Sequence, residues 1–303
     1  MRDTFIKELI THSKKNKLNL LVGDLGFNVI DNFKKRFPKR FLNVGVAEQN
    51  MIGIASGLAS EGRHCFAYSI ANFPVARCLE HIRNDICYHN LNVTIVSIGG
   101  GLAYGNLGYS HHAVEDFSFL RTLPNMKILA PGDPNEVKYC LKYIIENPGP
   151  SYLRLGKNSE LTLTNPKEYQ NYNPIKKVKY NKKNTVAIIT TGTSIQILKN
   201  ALKNDNGIFN KANLYTCPIW GDHNKKIVSN KFSKYKKIIT LEDHFEDGGF
   251  GSWFLEASVK YLRAKVLIMG LKKSIIYDVA SDQLLLKKGG LSIDKLLKYL
   301  NEF

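Results

Sequence analysis

The sequence predicts an α/β protein with two doubly wound domains, and three observations support this fold class. Short apolar segments of strand length alternate with amphipathic helical segments along both halves of the chain. A polar, lysine-rich stretch at residues 158–184, which contains Pro166 and Pro174, separates the halves and indicates a linker. Strands that alternate with helices favour parallel pairing through right-handed crossovers. We therefore expect domains at residues 1–157 and 185–303, joined by the linker 158–184.

The elements of the first half follow from its apolar periodicity. The predicted strands are residues 18–22, 41–44, 64–69, 93–98, 127–129 and 151–155. The predicted helices lie at about 47–61, 74–89, 114–122 and 135–146. Pro134 precedes the last of these helices, at a position where a helix start tolerates proline. A strand–helix alternation of this length predicts one parallel sheet covered on both faces.

The second half repeats this alternation after the linker. The predicted strands are residues 185–190, 212–216, 237–241 and 265–269, and the predicted helices lie at about 194–203, 251–263, 282–287 and 292–300. The leucines of the last two helices recur at three- to four-residue spacing, which is typical of an amphipathic helix. We therefore expect a second doubly wound sheet.

Composition excludes several classes of protein. The 303 residues are 44% hydrophobic and 23% charged, the balance of a globular protein with a substantial core. The longest apolar runs are of strand length, and early charges interrupt the N-terminal segment, so we expect no membrane span, no signal peptide and a cytoplasmic location. The five cysteines are scattered without a C-x-x-C pair, which argues against a disulfide framework or a zinc site.

The net charge of +17 would suit nucleic acid or a phosphorylated substrate. However, the lysines are spread widely, and no nucleic-acid-binding motif accompanies them. A solvated basic surface is therefore favoured over nucleic-acid binding.

Polar residues follow three predicted strands of the first domain, where open parallel sheets bind their ligands. Glu48 follows strand 41–44, residues 68–73 follow the strand segment 64–67, and a glycine-rich stretch at 99–112 follows strand 93–98. Glu48 is flanked by small and apolar residues at a strand-to-helix turn. It is either a functional acid, whose apolar surroundings favour the protonated form, or a carboxylate that caps the first helical turn. The pattern alone leaves these two readings open.

A series of segments in this order resembles the transketolase family. The matching segments are 43–57 (NVGVAEQNMIGIASG), 68–85 (YSIANFPVARCLEHIRND), 110–116 (SHHAVED), 123–133 (LPNMKILAPGD), 149–155 (GPSYLRL) and 241–252 (LEDHFEDGGFGS). That family includes 1-deoxyxylulose-5-phosphate synthase and, more distantly, the β subunits of 2-oxoacid dehydrogenases. The resemblance implies a thiamine diphosphate pyrimidine-binding domain followed by a transketolase C-terminal-like domain.

The resemblance also assigns cofactor contacts. Glu48 matches the glutamate that hydrogen-bonds the aminopyrimidine of thiamine diphosphate, and Phe73 resembles the aromatic residue that stacks on this ring. Tyr68 is a second candidate for stacking, and Arg77, in the same matched segment, is a further candidate for cofactor binding. The cofactor would supply the carbanion chemistry, and the protein would orient it. A core aromatic residue is the competing interpretation of Phe73.

Further candidates concern the substrate. His111 matches a histidine that can transfer protons and bind the substrate oxygen, and His112 could share this role. Arg154 matches an arginine that contacts a substrate phosphate in deoxyxylulose phosphate synthase; a structural ion pair is the alternative. Four positions before His111, the sequence has Leu107 where typical transketolases have an aspartate that contacts a sugar hydroxyl. The sugar therefore stays undetermined.

A further departure concerns the diphosphate. The family holds it through Mg²⁺ bound by a G-D-G motif and an asparagine, but this sequence has only Gly23-Asp24-Leu25 and Gly221-Asp222-His223. We therefore expect no metal ligands in this chain and a split transketolase. A separate N-terminal subunit would hold the diphosphate and Mg²⁺, and the chain would self-associate in a heterotetramer.

The expected reaction is transfer of a two-carbon ketol unit between sugar phosphates. Alternatives are a decarboxylating subunit similar to deoxyxylulose phosphate synthase or 2-oxoacid dehydrogenase, and a non-catalytic partner subunit. Nucleic-acid binding through the basic surface ranks last.

Overall fold

The computed structural model describes residues 1–157, 160–204, 207–221, 224–259 and 262–301. A seven-stranded sheet combines the six strands of the first half with β10 from the second, in the order β10-β5-β6-β4-β3-β1-β2. Its strands are β1 (Leu18–Val22), β2 (Phe41–Asn43), β3 (His64–Ile70), β4 (Val93–Ile98), β5 (Lys127–Leu129), β6 (Ser151–Leu155) and β10 (Ile219–Trp220). Neighbouring strands in this described sheet are parallel, except that β10 pairs with β5 in the antiparallel sense.

Helices cover both faces of this sheet. They are α1 (Arg2–Ser13), α2 (Asp31–Arg36), α3 (Glu48–Ser60), α4 (Phe73–Ala76), α5 (Leu79–His81), α6 (Asp116–Leu120) and α7 (Pro134–Glu146). Side chains alternate across β3, so Cys65 and Ala67 join one apolar cluster while Phe66 and Tyr68 join another. The sheet is therefore buried on both sides, as its uniformly apolar strands require.

The second half forms a five-stranded sheet in the order β12-β11-β8-β9-β7. Its strands are β7 (Lys176–Lys179), β8 (Val186–Thr190), β9 (Ala212–Thr216), β11 (Lys237–Phe245) and β12 (Lys265–Leu271); β7 is antiparallel to its neighbour, and the other pairs are parallel. The helices are α8 (Lys199–Asn204), α9 (Ile208–Lys211), α10 (Lys225–Phe232), α11 (Phe250–Ser258), α12 (Asp282–Lys288) and α13 (Ile293–Asn301). The two-sheet α/β fold is as predicted.

The structure differs from the sequence prediction in several places. Helices α2, α9 and α10 and strand β10 were not predicted, and a 3-10 helix (Gly192–Leu198) precedes α8 in the region of the helix expected at 194–203. The expected helix at 74–89 is divided into α4, α5 and a π-helical turn at Ile82–Cys87. The expected linker contains a short 3-10 helix (Pro166–Tyr169) and the edge strand β7, although its residues Asn158 and Ser159 lie outside the described part. The N-terminal segment forms α1, which buries Phe5, Ile6 and Leu9.

One apolar cluster runs continuously from the first half into the second. It includes Phe117 and Tyr152 from the first half, and Trp220, Phe250 and Trp253 from the second. The ring of Trp220 packs edge-on against Phe117 at 5.1 Å and contacts Trp253 at 5.4 Å. These aromatic contacts fix the two sheets relative to each other.

Candidate active site

Glu48 lies at the carboxyl edge of the first sheet, in the first turn of α3, and is 1% exposed. Its Oε1 accepts a hydrogen bond from the hydroxyl of Ser69 at 2.9 Å, and its Oε2 accepts one from Nη1 of Arg77 at 2.9 Å. A Cβ at Gly23 would lie 3.4 Å from Oε1, so the backbone that follows β1 also approaches the carboxylate closely. The acid is thus buried and held from two sides.

Arg77 connects Glu48 to the aromatic ring of Phe73. Its guanidinium lies over this ring, 4.8 Å from the centroid, while Nη1 donates to Glu48. The amide of Gln49 donates to the Arg77 carbonyl at 3.0 Å, and the Arg77 side chain is 46% exposed. A flat, nitrogen-bearing group therefore fits between the carboxylate of Glu48 and the face of Phe73.

His111 completes this group of residues. Its ring packs edge-on against Phe73 with the centroids 5.1 Å apart, and the Ser110 hydroxyl lies 3.0 Å from its Nδ1. The side chain of Asn72 donates to the Ser110 carbonyl at 2.7 Å. This bond joins the loop that carries His111 to the segment before α4. The structure therefore brings Glu48, Arg77, Phe73 and His111 together.

His112 lies beside this group but differs from His111 in its surroundings. It is 3% exposed, and neither ring nitrogen has a hydrogen-bond partner within the described residues. Burial, and then the neighbouring His111, lowers its pKa, which favours the neutral ring. It lines a cavity of about 250 Å³ together with Asn72, Tyr109 and Glu115.

Tyr68 lies away from the site. It is fully buried on the opposite face of β3 from Cys65 and Ala67, and its ring stacks on Phe5 at 6.1 Å. Because neighbouring residues of a strand point to opposite faces, Ser69 reaches Glu48 and Tyr68 cannot. This placement leaves Phe73 as the aromatic candidate for ring stacking.

Arg154 is also placed differently from the predicted phosphate contact. It is 3% exposed, and its guanidinium forms ion pairs with Asp116 at 2.8 Å and Asp243 at 2.6 Å. Burial alone would lower its pKa, but the two carboxylates outweigh burial and raise it. The guanidinium also lies 4.5 Å over the Phe117 ring, so the structure favours the ion-pair alternative.

Several residues of the site were not found by sequence reasoning. Ser69 and Gly23 contact Glu48, and Asp243 binds Arg154 from the second half of the chain. Gly23 and Ser69 each lie at the carboxyl end of a predicted strand, and that position could have indicated them. The Asp243 contact joins residues far apart in the chain and has no local sequence signal.

Known proteins resemble this chain in sequence and in fold. Residues 17–160 match the family model described as the transketolase pyrimidine-binding domain. The chain is 33% identical over 307 residues to a putative transketolase C-terminal section from Methanocaldococcus jannaschii, with 100% of this chain and 95% of the relative covered. This chain belongs to the transketolase family.

Other members of the transketolase family are also similar. A subunit of the apulose-4-phosphate transketolase of Actinobacillus succinogenes is 31% identical over 231 residues, which cover 76% of this chain and 73% of the relative. The 1-deoxy-D-xylulose-5-phosphate synthase of Clostridium perfringens is 30% identical over 236 residues, but these cover only 36% of that longer protein. A solved structure described as a split gene transketolase, inactive β4 tetramer, superposes with a TM-score of 0.82 at 30% identity, covering 99% of this chain and 96% of that one.

The described residues contain neither a metal centre nor a membrane span. No group of three or more His, Cys, Asp or Glu side chains there could hold a metal ion. Asp222 and His223, from the segment Gly221-Asp222-His223, lie outside the described part of the chain. No helix within it is long and apolar enough to span a membrane.

Proposed function

We propose that this chain is the C-terminal subunit of a thiamine diphosphate-dependent transketolase, which transfers a two-carbon ketol unit between sugar phosphates together with a separate diphosphate-binding subunit. One observation carries the proposal: a buried acid, Glu48, faces the same small space as the aromatic ring of Phe73 in a chain of the transketolase family. The competing interpretation of Glu48 as a plain helix cap fits poorly, because both of its oxygens bind side chains outside α3.

The residues present fit the aminopyrimidine of thiamine diphosphate. The guanidinium of Arg77, itself flat and rich in nitrogen, already contacts both Glu48 and Phe73. A pyrimidine ring has the same requirements, namely an acid at a ring nitrogen and an apolar face to stack on. When bound, the cofactor supplies the carbanion chemistry of the reaction.

The chain's own contribution is to hold protons and orient groups. Glu48 would hold a proton at the pyrimidine N1′, and the Ser69 hydroxyl would fix the carboxyl group for this task. Arg77, whose side chain is 46% exposed, would leave the face of Phe73 free, and Phe73 would orient the ring by stacking.

His111 is the second group of the proposed mechanism. Its Nδ1 is bound to the Ser110 hydroxyl, which leaves Nε2 to exchange a proton with the substrate oxygen. His112 lines the cavity of about 250 Å³ and is the candidate for a substrate hydrogen bond. Sugar phosphates are the substrate class expected from the family, and the basic surface would attract them.

The diphosphate and its Mg²⁺ are assigned to another polypeptide. The described residues offer no metal-ligand group, and two of the relatives are themselves named as parts of a transketolase, one a C-terminal section and the other a subunit. Val46 and Phe27, close in sequence to Glu48 and Gly23, are 75% and 71% exposed, and such apolar side chains suit a subunit contact. We propose the division into residues 1–157, a connecting segment 158–184 and 185–303 for this chain.

A second candidate reaction is decarboxylating acyloin condensation from pyruvate. The similarity to 1-deoxy-D-xylulose-5-phosphate synthase favours it, as does Leu107 in place of the aspartate expected for a sugar hydroxyl. The two reactions are separated by one measurement, because only the second releases carbon dioxide from pyruvate.

The test is to co-express this chain with a transketolase subunit that carries the diphosphate-binding domain. Ketol transfer with thiamine diphosphate and Mg²⁺ should require both polypeptides. Robust turnover by the isolated chain would refute the split arrangement, and turnover by the partner alone would make this chain non-catalytic.

A further inference from the structure

The buried ion pair between Arg154 and Asp243 joins the two halves of the chain. Arg154 lies on β6 of the first sheet and Asp243 on β11 of the second. Nη1 of Arg154 donates to Oδ1 of Asp243 at 2.6 Å, and Nη2 donates to the Asp243 carbonyl at 3.2 Å. The Thr193 hydroxyl donates to the other oxygen, Oδ2, at 2.6 Å, so Asp243 is held from both sides.

The same guanidinium holds the loop that carries the histidines. Nη2 of Arg154 donates to the carbonyl of Ala113 at 2.8 Å, and Ala113 directly follows His112. Ala113 in turn exchanges two backbone hydrogen bonds with Gly101, of 2.8 and 2.9 Å, which closes residues 101–113 into a loop. Arg154 therefore binds the point where the two ends of the histidine loop meet.

The start of this loop is packed tightly against the ion pair. A Cβ at Gly100 would overlap Nε of Arg154, and one at Gly101 would lie 2.6 Å from Oδ2 of Asp243. Gly101 also has a φ of +66°, which favours glycine. The backbone at the start of the loop therefore rests on the ion pair with no side chain between them.

We propose that Asp243, a residue of the second domain, is a positioning residue for the histidine loop and acts through Arg154. Without the Asp243 carboxylate, Arg154 keeps Asp116 as its charged partner among the described residues, on the opposite edge of its guanidinium. The guanidinium of Arg154 would turn toward Asp116, and its hydrogen bond to the Ala113 carbonyl would break. His111 and His112 would then lose their fixed position relative to Phe73, although neither touches Asp243. The catalytic part of this inference rests on the proposed function; the structural part does not.

The first experiment is hydrogen exchange on the isolated chain. Asp243→Asn keeps the shape of the side chain but removes its charge, and amide exchange within residues 99–113 should accelerate at least 10-fold. The matched control is Glu256→Gln, which also breaks an ion pair between the two halves, with Arg121 at 2.7 Å, but lies outside the loop contacts described above. Equal exchange in residues 99–113 for the two variants would overturn the proposal.

A milder variant covers the case in which Asp243→Asn does not fold. Thr193→Val removes one hydrogen bond to Asp243 and leaves the ion pair intact. It should accelerate exchange in residues 99–113 by a smaller factor and leave the rest of the first domain as in the unaltered chain. Unchanged exchange in these residues would again contradict the positioning role.

The second experiment is kinetic and uses the assembled complex. Asp243→Asn should lower kcat roughly 10-fold or more with little change in KM for the ketose. It should also shift the pH profile of kcat, because the loop that carries the proposed proton-transfer group is less fixed, whereas Glu256→Gln should leave both unchanged. If the unaltered complex has no ketol-transfer activity, the proposed function is wrong. The hydrogen-exchange result still tests whether Asp243 positions residues 99–113. A parallel change in stability and kcat with an unshifted pH profile would reduce Asp243 to a structural role.

Discussion

Replacement of Glu48 by glutamine tests the proposed catalytic acid directly. The amide keeps the size of the side chain and can preserve both contacts, with its oxygen toward Arg77 and its NH₂ group toward the Ser69 hydroxyl, which can reverse and accept. It cannot hold an exchangeable acid proton at a pyrimidine nitrogen. The variant therefore separates the chemical role of Glu48 from its packing role.

The two roles predict very different magnitudes. Loss of a positioned acid typically costs roughly 10²- to 10⁴-fold in rate, which corresponds to about 3–5.5 kcal/mol of transition-state stabilisation. The structural loss is small, because the charged bond to Arg77 involves a side chain that is 46% exposed and screened by solvent. We expect Glu48→Gln to lower the free energy of unfolding by about 1 kcal/mol.

The assay is ketol transfer by the assembled complex, together with urea unfolding of the isolated chain. The matched control is Glu136→Gln, a second buried glutamate in the first turn of a helix, α7, far from the site in sequence. Glu136 accepts bonds from Gly132 N, Tyr169 and Thr216, so its replacement should lower stability but not turnover per folded complex. If Glu48→Gln retains more than a tenth of the activity, the assigned role is wrong.

Three further outcomes are expected. Phe73→Ala should raise the Kd of the complex for thiamine diphosphate about 10-fold through lost ring stacking, measured by calorimetric titration; an unchanged Kd would make Phe73 a packing residue. Burial raises the pKa of Glu242 to about 8 from 4.5, so its contribution to stability is complete below pH 4.5 and is lost as pH rises toward 8. The urea midpoint of unfolding should therefore decrease as the pH rises from 5 to 9, and Glu242→Gln should make this decrease smaller. An equally large decrease in the variant would show that other groups cause it. Chelation with EDTA should abolish activity of the complex but leave the urea midpoint of the isolated chain unchanged, since its described residues hold no metal-ligand group; a shifted midpoint would place a metal in this chain.

Much of the fold followed from local sequence patterns. The predicted strands 18–22, 93–98, 127–129, 151–155 and 212–216 coincide with β1, β4, β5, β6 and β9, because length and flanking turn residues identify short apolar runs as strands. The helix at 74–89 was predicted as continuous, but Pro74 lies in the first turn of α4 and a π-helical turn ends the segment. Such a local change of helical pitch has no periodicity signal.

The candidate site also contains residues that local sequence patterns indicate and residues that they do not. Glu48, Phe73 and His111 were proposed because matched motifs carry them, and the structure places them in one group. Arg154 was assigned to a phosphate because its partners could not be read from the chain: Asp243 lies 89 positions away, and only the packing of two sheets brings it near. Tyr68 lies on the other face of β3 from Ser69, because a one-residue difference in a strand reverses the face.

Strand β10 has a consequence for how the polypeptide matures on the ribosome. Its two residues, Ile219 and Trp220, pair with β5 and close an edge that would otherwise offer bare backbone groups. Synthesis proceeds from the N-terminus, so that edge stays open until more than two-thirds of the chain has been made. A fragment cut at residue 157 would keep the edge open permanently, and we expect it to self-associate there into insoluble material.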